Sequence, residues 1–115
     1  MTLSFEPNSF DAVVGFYSIF HLPKEEQGAM IGRVRGWLND GGTFLCNLAT
    51  DEGDLMMEDW LGARMFWSGL GVQGNRDMFK REGLQMVEDE VVTEMAEQTL
   101  EKFHWLLAVK KGRWR

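Results

Sequence analysis

The amino-acid sequence predicts an α/β fold, and three consecutive segments carry that prediction. The stretch Ala12–Phe20 is almost continuously apolar, which is typical of a strand buried on both faces. Pro23 suits a first helical position, and apolar side chains then recur every three or four residues up to Leu38. A second apolar strand, Thr43–Leu48, follows. The order strand, helix, strand favours a right-handed parallel crossover.

Turn-forming residues predict the boundaries of the next elements. The run Asn39–Gly42 ends the first helix, because glycine accepts the left-handed backbone of a C-terminal cap. The segment Leu55–Trp67 shows helical spacing only in part, and we interpret it as a short helix or lid. Asn75 predicts the N-cap of a helix over Arg76–Glu82, with Gly83 as its stop.

Two strands, Leu84–Val92 and Lys102–Lys111, complete the predicted elements. No crossover helix with a clear apolar stripe fits between them, so an antiparallel pair is the simplest connection. The segment Glu82–Glu101 has seven acidic residues and no basic one, which is typical of a solvated face. Because no repeat or linker divides the chain, we expect one domain over residues 1–115.

Composition and charge exclude several classes of function. Twelve basic residues against eighteen acidic ones give a net charge of −6, so a nucleic-acid partner is not expected. The longest apolar run, Trp105–Val109, is far shorter than the roughly 20 residues that span a bilayer. With no signal-peptide pattern, we expect a cytoplasmic protein without a membrane partner. A single cysteine, Cys46, and the lack of metal-ligand spacing predict no disulfide and no metal site.

Large apolar side chains are unusually frequent, with 8 Phe, 5 Trp and 8 Met. This load indicates a roomy apolar pocket for a small molecule, or an interface. His21 lies in the loop after the first strand, where open α/β sheets bind ligands. It is either a general base or a structural histidine bonded to a carbonyl, and spacing alone leaves both readings open. His104 and Cys46 are predicted to be structural.

Three motifs carry a family resemblance: Phe10–Val14, Phe20–Pro23 and Leu38–Phe44. In this order and spacing they resemble the second half of class I S-adenosylmethionine-dependent methyltransferases. The tail Phe103–Lys110 is similar to the end of small-molecule members of that family. The resemblance implies part of a three-layer Rossmann-like fold, strands four to seven in the spatial order 4-5-7-6, with the last strand antiparallel.

The resemblance also implies site residues. His21 corresponds to a position that faces the methyl acceptor and is the candidate catalytic residue. The candidate cofactor-binding residues are Phe16, Tyr17 and Ser18. The candidate walls of an apolar acceptor pocket are Trp60, Met65 and Trp67. The family's Gly-rich turn and ribose-binding acid have no counterpart in this sequence, so S-adenosylmethionine is expected to bind this chain weakly or not at all.

These observations predict a truncated methyltransferase-like domain. Two alternatives remain open: a non-methylating subunit that completes another chain, and a repurposed isomerase or cyclase that uses the apolar pocket. In either case the strand Ala12–Phe20 would lie at a sheet edge, and exposed edges recruit another chain. We therefore expect a homodimer or a complementing chain that covers this strand or the helix Pro23–Leu38.

Overall fold

The computed structural model of the protein describes residues 5–60, 63–96 and 99–112, with side chains described outside 57–65 and 96–99. The helices and strands in these ranges are β1 (Phe10–Gly15), α1 (Lys24–Trp37), β2 (Leu38–Ala49), β3 (Glu52–Trp60), β4 (Ala63–Leu70), α2 (Gly71–Arg81), β5 (Leu84–Ala96) and β6 (Thr99–Lys110). A short 3-10 turn, Ile19–His21, lies between β1 and α1. None of the described helices is long and apolar enough to cross a membrane.

Four strands form the main sheet in the spatial order β1-β2-β6-β5, while β3 and β4 pair in a separate hairpin. β1 runs parallel to β2, whereas β6 is antiparallel to both β2 and β5. Counting β1, β2, β5 and β6 as strands four to seven reproduces the expected order 4-5-7-6 with an antiparallel last strand. The predicted α/β, Rossmann-like half fold is confirmed.

Both helices cover the same face of the main sheet. Phe79 of α2 stacks on Phe44 of β2 with ring centroids 5.9 Å apart. Arg35 of α1 donates from Nε to the Gly83 carbonyl just beyond α2, at 3.2 Å. One apolar core joins the two helices to β2, β5 and β6. Of the three expected layers, the described residues therefore supply the sheet and one helical layer.

The first strand is shorter than the sequence predicts. A strand over Ala12–Phe20 is expected, whereas β1 ends at Gly15. The backbone leaves the sheet because Tyr17 adopts a left-handed φ of 53°. Ile19 and Phe20 then turn inward and are buried in two different apolar clusters. The continuous apolarity reflects a strand plus a buried turn, so the predicted boundary is wrong.

The described residues of Leu55–Trp67 are not helical, so the prediction of a short helix in this segment is wrong. The backbone of this segment belongs to β3 and β4, which pair antiparallel from Glu52 and Leu70 to Trp60 and Ala63. Apolar residues occupy nine of the thirteen positions in this stretch, and no single period describes their spacing. The partial helical spacing therefore does not predict the secondary structure of this segment.

Helix α2 begins five residues before its predicted start, at Gly71. Asn75, the predicted N-cap, lies inside the helix and is fully buried, while Leu70 occupies the N-cap position. The predicted stop is confirmed, because Gly83 has a φ of 87° that suits glycine just after a helix. The start was misplaced because the Asn75 side chain makes tertiary hydrogen bonds instead of capping the helix.

The junction between α1 and β2 also differs from the prediction. No cap separates them at Asn39–Gly42, and α1 passes directly into β2. The β1–β2 register shifts at this point, since Phe10 pairs with Leu38 and Ala12 pairs with Thr43. The first glycine of the run has a φ of 82°. The glycines therefore lie at a register shift within β2 and do not cap a helix.

The predicted antiparallel pair at the end of the sequence is confirmed, with β5 and β6 in register from Leu84 and Lys110 to Ala96 and Thr99. β6 lies between β2 and β5, so every one of its neighbours in the sheet is antiparallel. Lys110, 8% exposed, donates from Nζ to the Leu38 carbonyl at 2.8 Å. This buried ammonium fixes one end of β6 against the beginning of β2.

A buried polar network joins α2 to three strands. Asn75 Nδ2 donates to the Ala49 carbonyl at 2.9 Å and lies 3.1 Å from His104 Nδ1. Because that ring nitrogen accepts a hydrogen bond, Nε2 of His104 carries the proton and donates it to Asp89 Oδ2 at 2.6 Å. Arg76 Nε contacts the same carboxylate at 2.7 Å. The hydrogen bond from His104, and then Arg76, hold the pKa of Asp89 below its usual value although burial opposes them.

Replacing Asp89 by Asn is expected to lower the free energy of unfolding at pH 7 by about 2 kcal/mol, because a charge-assisted hydrogen bond and an ion pair are lost. The pKa of Asp89 is lower in the folded protein than in the unfolded one. The stabilising effect of the Asp89 carboxylate is therefore present above its unfolded pKa of about 4. It is lost as the pH falls through the pKa of the folded protein.

Chemical denaturation at several values between pH 7 and pH 2 measures this effect. The difference between the native protein and Asp89→Asn should shrink on acidification. Glu90→Gln is the matched control, since it removes an exposed carboxylate from the same strand. An equal loss of stability by Asp89→Asn at all pH values would contradict the assignment.

Candidate functional site

The carboxyl ends of β1 and β2 meet at one edge of the main sheet, and the segment from Phe16 to His21 crosses this edge. The Tyr17 backbone N–H donates to Asn47 Oδ1 at 2.7 Å, which holds the left-handed turn in place. The Tyr17 hydroxyl donates to Glu94 of β5, with the shorter contact at 2.6 Å. This bond to a carboxylate raises the pKa of Tyr17. The loop is therefore tied to two strands, β2 and β5.

His21 lies at the end of the 3-10 turn, half-buried against the hairpin. Its Nδ1 is 2.8 Å from the Phe66 carbonyl of β4. A carbonyl can only accept, so Nδ1 of the neutral ring carries the proton and Nε2 keeps its lone pair. The rings of Phe20 and Trp67 flank the imidazole, with centroids 4.6 Å and 6.0 Å away. His21 thus has the hydrogen bond to a carbonyl that is typical of a structural histidine. The same bond also orients the lone pair on Nε2.

Hydrogen bonds of Ser68 and Gln27 hold the hairpin next to His21. Ser68 of β4 accepts from the Lys24 backbone N–H at 2.9 Å and donates to Asp54 of β3 at 2.6 Å. The buried Gln27 side chain of α1 donates to the Leu22 and Ser68 carbonyls at 3.0 Å and 2.9 Å. The start of α1 and the hairpin are therefore fixed to one another, and His21 is positioned between them.

Sequence reasoning missed the polar residues that organise this site. Asn47 and Gln27 are both fully buried, yet each stands in a stretch whose pattern is set by apolar residues. The available signal was an amide at a position where the strand or helix pattern calls for an apolar side chain. A buried amide needs hydrogen-bond partners. Here they are the Tyr17 backbone N–H for Asn47 and the Leu22 and Ser68 carbonyls for Gln27.

An aromatic cluster lies beneath the turn. Phe20 is 4.9 Å from Trp67 and 5.5 Å from Phe103 between ring centroids, and all three are buried. Trp67 is only 8% exposed, so it belongs mainly to this cluster. The side chains of the other two predicted acceptor-pocket residues, Trp60 and Met65, lie outside the described side chains. Their backbones are in β3 and β4.

A hollow of about 660 Å³ opens beside Trp67 and Ser68, between the hairpin and the adjoining ends of β2 and β6. Its remaining lining residues are Ala49, Thr50, Asp51, Glu52, Gly53, Asp54, Leu55, Leu100, Glu101 and Lys102. The walls thus combine apolar surface with four carboxylates and one lysine. This hollow is large enough for a small organic molecule.

A second, apolar groove of about 390 Å³ runs between α1 and the outer edge of β1. It is lined by Phe5, Phe10, Ala12, Val13, Val14, Gly15, Ser18, Ile19, Leu22, Met30, Val34, Trp37 and Phe44. Within the described residues β1 pairs with β2 alone, so the other side of this strand has no partner strand. Groove and strand edge form one continuous apolar border.

The three predicted cofactor-binding residues do not form one pocket. Ser18 lines the groove beside α1. Phe16 and Tyr17 instead pack on Trp105, at 5.4 Å and 6.0 Å between ring centroids, on the sheet face away from the helices. The Tyr17 hydroxyl is also engaged by Glu94. These residues alone therefore do not enclose a molecule the size of S-adenosylmethionine.

Cys46 is fully buried in β2, and burial raises the pKa of its thiol far above the usual value. A thiol in such surroundings is not a nucleophile. The described residues contain no group of three or more His, Cys, Asp or Glu side chains that could hold a metal ion.

No protein-family model and no curated protein sequence matches this chain. Its fold matches solved structures. A methyltransferase from Methanosarcina mazei that depends on S-adenosylmethionine superposes with a TM-score of 0.81 at 13% identity, over 96% of this chain and 63% of that one. A 1,6-didemethyltoxoflavin-N1-methyltransferase from Burkholderia thailandensis, solved with 1,6-didemethyltoxoflavin and S-adenosylhomocysteine, gives a TM-score of 0.70 at 13% identity, over 96% and 48%. The [4+2]-cyclase SpnF gives 0.70 at 13% identity, over 96% and 53%.

The chain therefore has a class I S-adenosylmethionine-dependent methyltransferase-like fold, as the sequence motifs predict. It spans about half to two thirds of the length of these three structures. Identities of 13% establish the fold alone.

The two histidines of the chain are expected to show opposite neutral tautomers. His21 should carry its proton on Nδ1 because the Phe66 carbonyl accepts there, and His104 on Nε2 because Asp89 accepts there. Long-range ¹H–¹⁵N correlation spectra at pH 8 distinguish the two forms, and each histidine serves as the control for the other. A proton on Nε2 of neutral His21 would remove the basis for a catalytic base at this position.

Proposed function

We propose that this chain is the acceptor-side part of a small-molecule methyltransferase-like domain, which becomes active when another polypeptide completes the fold. The observation that carries this proposal is the unequal coverage: 96% of this chain matches, against 48–63% of the three solved structures. Among the described residues, β1 has a neighbouring strand on one side only, which supports the proposal.

His21 is the proposed catalytic residue. Its Nε2 has a lone pair, its ring is oriented by the Phe66 carbonyl, and it lies at the carboxyl end of the sheet. An imidazole in this state can accept a proton from an acceptor hydroxyl or amine. The packing of Phe20 and Trp67 against the ring supports a fixed orientation.

The proposed acceptor site is the hollow beside Trp67, with Trp60 and Met65 as further walls. The Burkholderia thailandensis enzyme, a small-molecule methyltransferase of the same fold, supports this substrate class. S-adenosylmethionine is the proposed cofactor of the completed domain, with Phe16, Tyr17 and Ser18 as this chain's contribution. The separation of these three residues on two surfaces supports weak or absent binding by this chain alone.

The second candidate is a non-methylating function, either as a subunit or as an isomerase or cyclase. The fold match to a [4+2]-cyclase favours this alternative, because the same architecture accommodates a different chemistry. His21 and the hollow beside Trp67 would serve it without S-adenosylmethionine. A single domain over residues 1–115 and a cytoplasmic location remain predictions from the sequence.

We propose a homodimer as the form in which β1 is covered. The edge of β1 and the groove beside α1 form one apolar border, and a two-fold axis would bring two such borders together. A stable interface of this kind would bury on the order of 1,200 Å² or more in total. A complementing chain is the alternative occupant.

This chain alone is expected to bind S-adenosylmethionine with a dissociation constant weaker than about 100 μM, which corresponds to about −5.5 kcal/mol. A chimera that joins residues 5–112 to the unmatched part of the Methanosarcina mazei methyltransferase should bind at least about tenfold tighter. Calorimetry measures both constants, and circular dichroism verifies that the chimera folds. A folded chimera without affinity for the cofactor would favour the non-methylating candidate.

Light scattering at micromolar concentration is expected to give the mass of two chains. Ala12→Lys should shift the mass toward one chain, because it places a charge at an exposed position that lines the groove. Val91→Lys is the control, since Val91 is 45% exposed on β5, the other outer strand of the sheet. A native protein that stays monomeric at this concentration would exclude the homodimer.

A further inference from the structure

The hollow beside Trp67 has acidic walls. Its four carboxylates belong to three parts of the chain: Asp51 after β2, Glu52 and Asp54 in β3, and Glu101 in β6. Lys102 is the one cation among its described lining residues. Four carboxylates and one ammonium leave these walls with a formal charge of −3 at pH 7, which favours a positively charged ligand.

Most of this negative charge has no partner among the described residues. Asp54 accepts a hydrogen bond from the Ser68 hydroxyl at 2.6 Å. Asp51, Glu52 and Glu101 have neither a hydrogen bond nor an ion pair within the described part of the chain. Their oxygens are therefore available to a ligand in the hollow. A hydrogen bond from an ammonium group to a carboxylate is of the strong, charge-assisted kind.

Glu101 occupies a position that is unfavourable for a second carboxylate. It pairs with Glu94 of β5 across the sheet, and cross-strand partners share a face. Like charges directly opposite each other in a sheet are destabilising. The Tyr17 hydroxyl donates to Glu94, whereas Glu101 has no such donor among the described residues. A cation bound in the hollow next to Glu101 would offset this repulsion.

The hollow also has exposed apolar walls. Leu55 of β3 is 54% exposed and Leu100 of β6 is 64% exposed, and both line the hollow together with Trp67. Covering such side chains with an apolar group is favourable. A ligand that combines an apolar body with a positive charge therefore matches both kinds of wall.

We propose that the hollow beside Trp67 binds small organic ammonium ions, in which a charged amine is attached to an apolar body. The ammonium group lies against the unpartnered carboxylates, and the body packs on Leu55 and Leu100. A metal ion does not suit the site, because the described residues contain no group of three side chains that could hold one. The inference rests on the proposed function only in naming amines as the methyl acceptors. Binding itself requires neither the cofactor nor the base role of His21.

Three isosteric indoles test the proposal on the full 115-residue chain. Tryptamine is a cation, tryptophol is neutral and indole-3-propionate is an anion. We expect tryptamine to bind with a dissociation constant of about 1 mM or tighter, and the other two at least about tenfold more weakly. NMR shift changes should map to Leu55, Ser68 and Leu100. Equal binding of tryptamine and tryptophol, no binding of tryptamine, or shifts away from the hollow would overturn the proposal.

Two charge-matched substitutions separate local from general attraction. Glu101→Gln and Glu25→Gln each remove one negative charge, but Glu25 is exposed on α1 and does not line the hollow. Glu101→Gln should weaken tryptamine binding about threefold, whereas Glu25→Gln should leave it unchanged. Lys102→Gln should strengthen binding about threefold, because it removes a cation from the walls. Equal effects of the two glutamate substitutions would reduce the binding to attraction by the net charge of −6 and would overturn the proposal.

The stability of Glu101→Gln is a second measurement. Because Glu101 opposes Glu94, the variant should unfold at the same denaturant concentration as the native protein or at a higher one. Unchanged or increased stability together with weaker tryptamine binding is expected of a side chain that serves a ligand. A clear loss of stability would show that Glu101 has a structural role and would overturn its assignment to the site.

These measurements use neither cofactor nor a completing polypeptide, so they are independent of methyl transfer. Cation-selective binding without methyl transfer by the completed domain would contradict the proposed function and support this inference. Methyl transfer to an acceptor in the hollow without preference for cations would support the proposed function and overturn this inference.

Discussion

The antiparallel insertion of β6 between β2 and β5 is the constraint on which the rest of the structure depends. β6 is the only strand of the main sheet among the described residues that joins the parallel pair to β5. Its residues on the helical face, from His104 to Lys110, are all buried. His104 contacts Asn75 of α2 through a hydrogen bond. Lys110 donates from its ammonium group to the Leu38 carbonyl at the beginning of β2. Without β6, β5 would have no partner strand among the described residues of the main sheet.

The two faces of the same sheet have very different surroundings. On the helical face, buried apolar side chains of both helices and of the strands form one core. On the face of the sheet opposite the helices, Val14 and Phe16 are exposed. The candidate site lies where these two environments meet, at the carboxyl ends of β1 and β2. There the chain turns at Tyr17. Ile19 then packs in the core under the helices, and Phe20 packs in the aromatic cluster with Trp67.

The sequence predicted those parts of the fold that depend on local pattern. The amphipathic helix α1, the antiparallel pair of β5 and β6, and the order of the four strands follow from periodicity and from the methyltransferase-like motifs. The hairpin of β3 and β4 did not follow, because its methionines and tryptophans fit a helix or a strand equally well. The misplaced start of α2 has a different cause, since Asn75 is used for tertiary hydrogen bonds.

Of the candidate site, the position of His21 followed from its place after the first strand, but its orientation did not. The orienting group is a backbone carbonyl 45 residues further along the chain, at Phe66. Backbone carbonyls have no sequence signature. The same holds for the Ser68 carbonyl that accepts from Gln27 and for the Tyr17 N–H that donates to Asn47, because tertiary structure and not the neighbouring sequence brings these groups together.

The central position of β6 also determines the order in which the chain can fold during synthesis. β2 pairs with a strand about sixty residues later, so Leu45 meets Leu107 only after both helices and the hairpin have been made. Until then the nascent chain holds only the β1–β2 pair of the main sheet, with one side of β2 unpaired. Contacts of such long sequence separation slow folding.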